Sequence, residues 1–412
     1  MKQNKITFSL FSIILGLISI LYFNPAQAIP AFASKYEKSC SYCHTAWPQL
    51  NKRGRRYKEQ GYRLPDEVGE DQSIAGYMEL GTFPISTRLI SRPVDKKSSG
   101  DFKLRALHEI ELYVAGSVGK RWSAFFEIEA EDENDFSPDI PVGVLSFNLH
   151  PAFNIQAVLG DTFWADPYGF LSDNQRLTRG HVSVIDQRFG GADGDKGRLR
   201  SRRQSVNLTG RLFDRLFYFA GVGGVAGDSE GVNASNFQGR IAFDITDDIM
   251  IGAFGITGET NAHTVTSTTT DPDSGFLRET STQFADREFR RYGIDFQADL
   301  PSEWGNTRFQ GAFIHTEDDN AEGTLTEDNN AWSIQAFHTF KTKTGKPTWV
   351  PLIRYDHYEK NDGEDKYDEV SLNLSYYLKQ NIRAYVEYFN QINVPDGKDD
   401  DDRITLQMEL AF

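Results

Sequence analysis

The chain is predicted to be all-β: a transmembrane barrel of outer-membrane type with about sixteen strands, preceded by a small helical segment. Three observations predict it. From about Tyr77 to Phe412, apolar and polar residues alternate with period two. The connections between the alternating runs are short and long by turns. Mean hydropathy is low, at -0.50, as expected where residues alternate between lipid and lumen.

The elements follow in order. Residues 1–28 have the layout of an export signal, with Lys2 and Lys5, an apolar run from Ile6 to Phe23, and Ala26-Gln27-Ala28 as cleavage site. The competing reading of that run is an anchor helix, for which it is near the lower length limit. Without the signal's two lysines the formal charge moves from -15 to -17, which argues against nucleic acid as a partner. Residues 29–70 form a small separate segment. Its basic run, Lys52, Arg53, Arg55, Arg56 and Lys58, is expected to be a solvated helix face.

The barrel domain spans 77–412. Its first strands are expected at 77–90, 104–118, 121–131, 141–149, 152–160, 203–213, 215–226 and 236–245. The rest are expected at 248–258, 288–300, 305–316, 331–341, 348–358, 368–378, 381–392 and 403–412. On "DRITLQMELAF", Ile404, Leu406, Met408, Leu410 and Phe412 share one face, with Arg403, Thr405, Gln407 and Glu409 on the other. In "RWSAFFEIEAE", Phe125 breaks the alternation. Parity places His108, His315, His338 and His357 on the apolar, outward face. A soluble sandwich or propeller also alternates, but its loops need not alternate in length.

The connection 161–202 is out of scale and is expected to be functional or disordered. It carries Trp164, Arg176, Arg179, His181, Arg188, Arg198, Arg200 and Arg202. Its place as third long loop is similar to that of the constriction loop of general porins. The following "RQSVNLTGRLFDRLFYFAGVGG" resembles the phosphate-selective porin O/P family over about forty residues.

The only cysteines, Cys40 and Cys43, are followed by His44. Cys-x-x-Cys-His is the pattern of covalent attachment of one haem c: two thiols for the vinyl groups and an adjacent imidazole as proximal iron ligand. A thioredoxin-like motif would sit on a βαβ pattern, and a zinc site needs further ligands. The segment "AIPAFASKYEKSCSYCHTAWPQLNKRGRRYKEQGYRL" resembles the haem segment of the outer-membrane fused monohaem cytochrome–porins of iron-oxidising bacteria. The matching residues are Pro30, Phe32, Pro48, Leu50, Asn51, Gly54, Gly61 and Tyr62. The resemblance implies oxidation of extracellular Fe(II), with electrons passed to a periplasmic c-type cytochrome or other carrier. That activity is electron transfer or iron oxidation, at an outer-membrane address.

Met78, at the base of the first strand, and His150, in a short turn, are equal candidates for the distal iron ligand. The acidic loops "DGKDDDD" and "KNDGED" are expected to be solvated and to hold divalent ions only loosely. The alternative functions are an anion-selective porin whose haem segment plugs or gates the pore, and a soluble periplasmic haem protein.

Overall fold

The computed structural model describes residues 31–73, 84–97, 100, 102–172, 175–187, 189, 198–224, 236–260, 263–270, 277–320, 322–395, 397–398 and 400–412. The expected export signal, Pro30, Met78 and Arg188 lie outside the described residues. The described residues open with helix α1 (Ala31–Lys35), the short hairpin strands β1 (His44–Ala46) and β2 (Gln49–Leu50), and helix α2 (Lys52–Glu59). Strands β3 (Ile85–Lys97), β4 (Phe102–Val118), β5 (Trp122–Glu131), β6 (Asp139–His150) and β7 (Phe153–Gly160) follow. A long connection holding the short helix α3 (Ser183–Asp186) leads to β8 (Arg203–Leu212), β9 (Leu216–Gly223), β10 (Asn236–Asp244) and β11 (Ile249–Thr260). Strands β12 (His263–Thr270) and β13 (Leu277–Phe284) form a separate hairpin within a long loop. The remaining strands are β14 (Arg287–Ser302), β15 (Gly305–Asp319), β16 (Thr326–Phe340), β17 (Trp349–Lys360), β18 (Asp365–Lys379), β19 (Ile382–Asn393) and β20 (Asp402–Ala411).

Sixteen strands, all but the two hairpins, form one closed antiparallel barrel. The ring is sealed where β20 lies beside β3, with Arg403 opposite Lys97 and Ala411 opposite Arg88. Each expected strand returns, but the first is displaced. It runs over Ile85–Lys97, through residues expected to be loop. Pro93 falls where the ladder to β4 slips register, between Arg92 and Asp95. A proline is tolerated there because no ladder N–H is required.

The barrel is apolar outside and charged inside. On β20, Ile404, Leu406 and Met408 are 50, 40 and 47 % exposed, whereas Thr405, Gln407 and Glu409 are buried. Each of these half-exposed side chains forgoes roughly 1 kcal/mol of burial in water. A soluble sandwich would turn these faces the other way; a lipid-facing wall needs them as they are.

The lumen is filled. Arg63, Arg203, Arg240, Arg308 and Arg383 are among the largest fully buried side chains. Buried charges demand partners, and Arg240 bridges Asp166 at 2.8 Å and Asp295 at 2.7 Å. The long connection folds inward, packing Phe163, Tyr168, Leu171 and Ile185 against Phe217, Phe219 and Phe254 of the wall. Its arginines are engaged: Arg179 with Asp95 at 3.0 Å, Arg202 with Asp139 at 2.8 Å, Arg198 and Arg200 with Asp186, and Arg176 with His181. The acidic loops also pair with cations, Asp401 with Lys97 at 2.7 Å and Asp365 with Lys398 at 3.7 Å.

The outward parity predicted for His108 is overturned. The register of β4 against β3 slips between Ile90 and Arg92, whose partners are Glu109 and Arg105. His108 lies in that irregularity and is only 3 % exposed. His315, His338 and His357 each bond a neighbour through Nδ1: Asn330 at 2.9 Å, Thr307 at 2.8 Å and Asp368 at 2.7 Å.

Candidate cofactor site in the barrel mouth

The segment before the barrel enters the lumen at the rim of short turns. Ala31 N–H donates to Ser86 Oγ at 2.9 Å, Ser41 N–H to the Gln380 side chain at 3.2 Å, and Lys52 meets Asp247 at 2.5 Å. Gln72 bridges the β4–β5 turn at Gly119. These contacts reach turns spread around the ring.

The basic run is not a solvated face. Lys52 and Arg53 are exposed, but Lys58 donates to the carbonyls of Trp164 at 2.7 Å and Asp166 at 3.0 Å. Arg56 donates to the Asp214 carbonyl. Arg55 stacks 4.9 Å over Tyr168 and lies 3.9 Å from Asp299. Glu59 and Arg211 make a two-point pair at 2.6 and 2.7 Å, both side chains almost fully buried. Helix α2 is therefore the surface that binds the plug to the wall.

The motif is held by its neighbours. Cys40 begins a single helical turn, and His44 opens β1. Asn51 caps α2 by accepting from Gly54 N–H at 3.1 Å, donates to the Tyr42 carbonyl at 3.1 Å, and its own N–H donates to the Cys43 carbonyl at 2.9 Å. A Cβ on Gly54 would fall 2.2 Å from that same carbonyl, so only glycine lets the helix approach the motif. Gly61, at φ +64°, reverses the chain after α2, and a Cβ there would fall 2.3 Å from the Asn148 side chain. From β15, the guanidinium of Arg308 donates to Thr45 Oγ1 at 3.1 Å, Gln49 Oε1 at 2.9 Å and the Leu50 carbonyl at 3.0 Å. The Tyr377 hydroxyl donates to the Trp47 carbonyl at 2.5 Å.

Between this hairpin and the wall lies a cavity of about 290 Å³. Cys40, Cys43 and His44 line it, facing aromatic side chains from three sources: the segment itself, the wall and the long loop. Phe32 stacks on Tyr62 at 5.4 Å, Tyr62 meets Phe125 at 6.2 Å, and Phe125 meets Trp164 at 4.9 Å. Phe125, the residue that breaks the alternation of β5, is thus a cavity wall. Arg88 and Ala411, from the two strands that seal the barrel, also line it.

Both cysteines are free. Burial raises the Cys40 thiol, and it pushes Cys43 up to about 11 against the pull of Arg53. Burial also lowers the His44 ring to about 4, outweighing its bonds to the backbone of Pro48 and Gln49. The ring is neutral at pH 7. Its Nδ1 lies 3.1 Å from the Pro48 carbonyl and so carries the proton, leaving the Nε2 lone pair for a metal. Two half-buried thiols, an oriented neutral imidazole and an apolar chamber are the donor set and enclosure that a covalent haem c requires. Among the described lining residues, His44 is the sole histidine. His150 is exposed in the β6–β7 turn, where Nδ1 accepts from Ala152 N–H at 3.1 Å, and it does not line the cavity.

The barrel resembles solved outer-membrane proteins. A loop-deletion form of OmpT of Vibrio cholerae has 14 % identity and TM-score 0.56, over 80 % of this chain and 98 % of its own. An anion-selective porin from Comamonas acidovorans has 12 % identity and TM-score 0.55, over 80 % and 99 %. OmpF of Salmonella typhi, in complex with daunomycin, has 13 % identity and TM-score 0.53, over 80 % and 97 %. The chain has the porin fold. At the sequence level it matches no family model and no curated protein. To the porin fold it adds a cysteine-bearing plug.

Proposed function

We propose that this chain is an outer-membrane electron-transfer cytochrome–porin. One haem c would be held by Cys40 and Cys43, with His44 under the iron. The observation that carries this is the apolar cavity between the Cys-x-x-Cys-His hairpin and the barrel wall, at the short-turn mouth. Haem supplies a one-electron centre whose potential is set by axial ligand, burial and hydrogen bonding. The protein's part is to exclude water with Phe32, Tyr62, Phe125 and Trp164, to orient His44 through Pro48, and to insulate the site inside a membrane-crossing wall. Extracellular Fe(II) is the favoured donor, giving one electron per ion, and a periplasmic c-type cytochrome or similar carrier the acceptor. The short-turn mouth would face the periplasm, as in outer-membrane barrels.

The fold shared with an anion-selective porin favours a second reading, in which the plug gates a pore. The paired arginines of the inner loop weaken it, since an anion path needs free cations. The test is Fe(II)-driven reduction of the purified haem, followed by its visible spectrum, together with conductance in planar bilayers. Fast reduction with little conductance is expected; large conductance with a haem inert to Fe(II) would sink the proposal.

A further inference from the structure

The inner face of β4 and β5 is a ladder of carboxylates. Glu109 lies opposite Glu131, Glu111 opposite Glu129, Tyr113 opposite Glu127 and Ala115 opposite Phe125. The last pair and Tyr113 line the cofactor cavity. Like charges placed directly opposite are destabilising, so the ladder calls for positive charge. Arg88 serves the Glu111 rung, bonding Glu111 at 2.9 and 3.0 Å. Arg88 also acts on Glu109, and Arg176, from the long loop, acts on both Glu109 and Glu131.

His108 supplies a second, independent sign. Its side chain is buried, and Nδ1 lies 2.7 Å from Asp132 Oδ1. At that distance the N–H donates and the carboxylate accepts. Nε2 is left toward Glu109, whose Oε2 is 3.9 Å away, too far for a hydrogen bond. A second proton on the ring is opposed by Arg105, 3.2 Å from Nδ1. A carboxylate fixing Nδ1–H so that Nε2 presents its lone pair is the arrangement of metal-bound histidines. One ligand atom each from His108, Glu109 and Glu131 fall within 4.8 Å of one another, and the same holds for Glu109, Glu111 and Glu129.

We propose that His108, Glu109 and Glu131 bind one first-row divalent cation. One imidazole with two carboxylates suits Mn(II), Fe(II) or Zn(II), while Ca(II) prefers an all-oxygen set. Glu109 is four residues from Tyr113, about 13 Å along β4, and Glu111 between them accepts the Tyr113 hydroxyl proton in a hydrogen bond. The site therefore lies on the route from the long-loop side to the cofactor cavity. Its role as the donor's binding site rests on the proposed function; its affinity for a cation does not.

The test uses the purified full-length holoprotein in detergent. Mn(II) titration, read by loss of the free-ion EPR signal, is expected to show binding that weakens by about tenfold or more in His108→Ala and Glu109→Gln. Glu131→Gln, on the opposite strand, is expected to do the same from outside the β4 irregularity, and heat-modifiable gel migration reports folding of each variant. Mn(II) affinity unchanged in all three variants overturns the site. Fe(II)-driven haem reduction is then read on the same proteins, with the oxidised spectrum as a check on the haem. Slower reduction in the variants supports the role of donor site. Equal rates in wild type and variants overturn that role and leave the proposed function standing. Cation binding with a haem that Fe(II) never reduces leaves the metal site standing and overturns the proposed function.

Discussion

Arg308 ties the motif hairpin to the barrel, and its removal can be reckoned bond by bond. Its guanidinium donates to Asp299 at 2.8 and 3.0 Å, and to Gln49, Thr45 and Leu50 at 2.9, 3.1 and 3.0 Å. Arg308→Ala deletes all five bonds and leaves Asp299 with Asn306 at 2.8 Å, Gln297 at 3.0 Å and Arg55 at 3.9 Å. Breaking a buried pair from one side costs about 3–5 kcal/mol. More than half of the bonds belong to the hairpin, so roughly 2–3 kcal/mol falls on its local stability. That is roughly a 30- to 150-fold rise in the open population. Native-state amide hydrogen exchange of residues 44–50 should accelerate by that factor, while amides of β16 to β19 keep their protection. Arg308→Lys, which keeps the charge but loses the fork, should fall between. Exchange in the hairpin within about threefold of wild type would refute the claim that Arg308 anchors it.

Three further outcomes follow from the site. Gly54→Ala pushes a methyl against the Cys43 carbonyl, so the yield of the proposed covalent haem on stained gels should fall while the barrel still folds. Glu59→Gln leaves Arg211 buried with Asp244 at 2.8 Å as its remaining carboxylate, a loss of about 3 kcal/mol to plug docking, visible as more frequent openings in planar bilayers. Burial raises the carboxyl of Asp186, but His181, Arg200 and Arg198 outweigh it and hold the group below its ordinary value. Its stabilisation of the inner loop is thus complete above about pH 3.9 and lost as pH falls through the lower folded value. Exchange at Ser183–Asp186, corrected for intrinsic rate, should therefore rise on acidification below that pH.

The wall of this molecule is legible because a strand's period is local: two residues suffice to tell lipid from lumen. The alternation of loop lengths adds which rim is which. What fails is whatever depends on the far side of the lumen. The run Lys52 to Lys58 reads as a solvated face because its partners, Trp164, Asp166, Asp214 and Asp299, lie far along the chain. Parity fails at His108 because a slipped register reverses which face a residue takes. The Cys-x-x-Cys-His motif is visible as chemistry, but its chamber is not. Phe125 was the one local sign of the chamber: an aromatic on the polar face of its strand has to be covered by something inside.

The chamber is completed by residues from both ends of the barrel domain. Arg88 belongs to the first wall strand and Ala411 to the last, and the two stand opposite each other in the seam. Thr87 and Phe412 exchange hydrogen bonds at 2.7 and 2.9 Å to zip it. An unsealed sheet has only half of that wall. Completion of the chamber is thus coupled to the last event of barrel assembly, and a chain shortened by its final strand would keep every residue of the motif and still lose the room built around it.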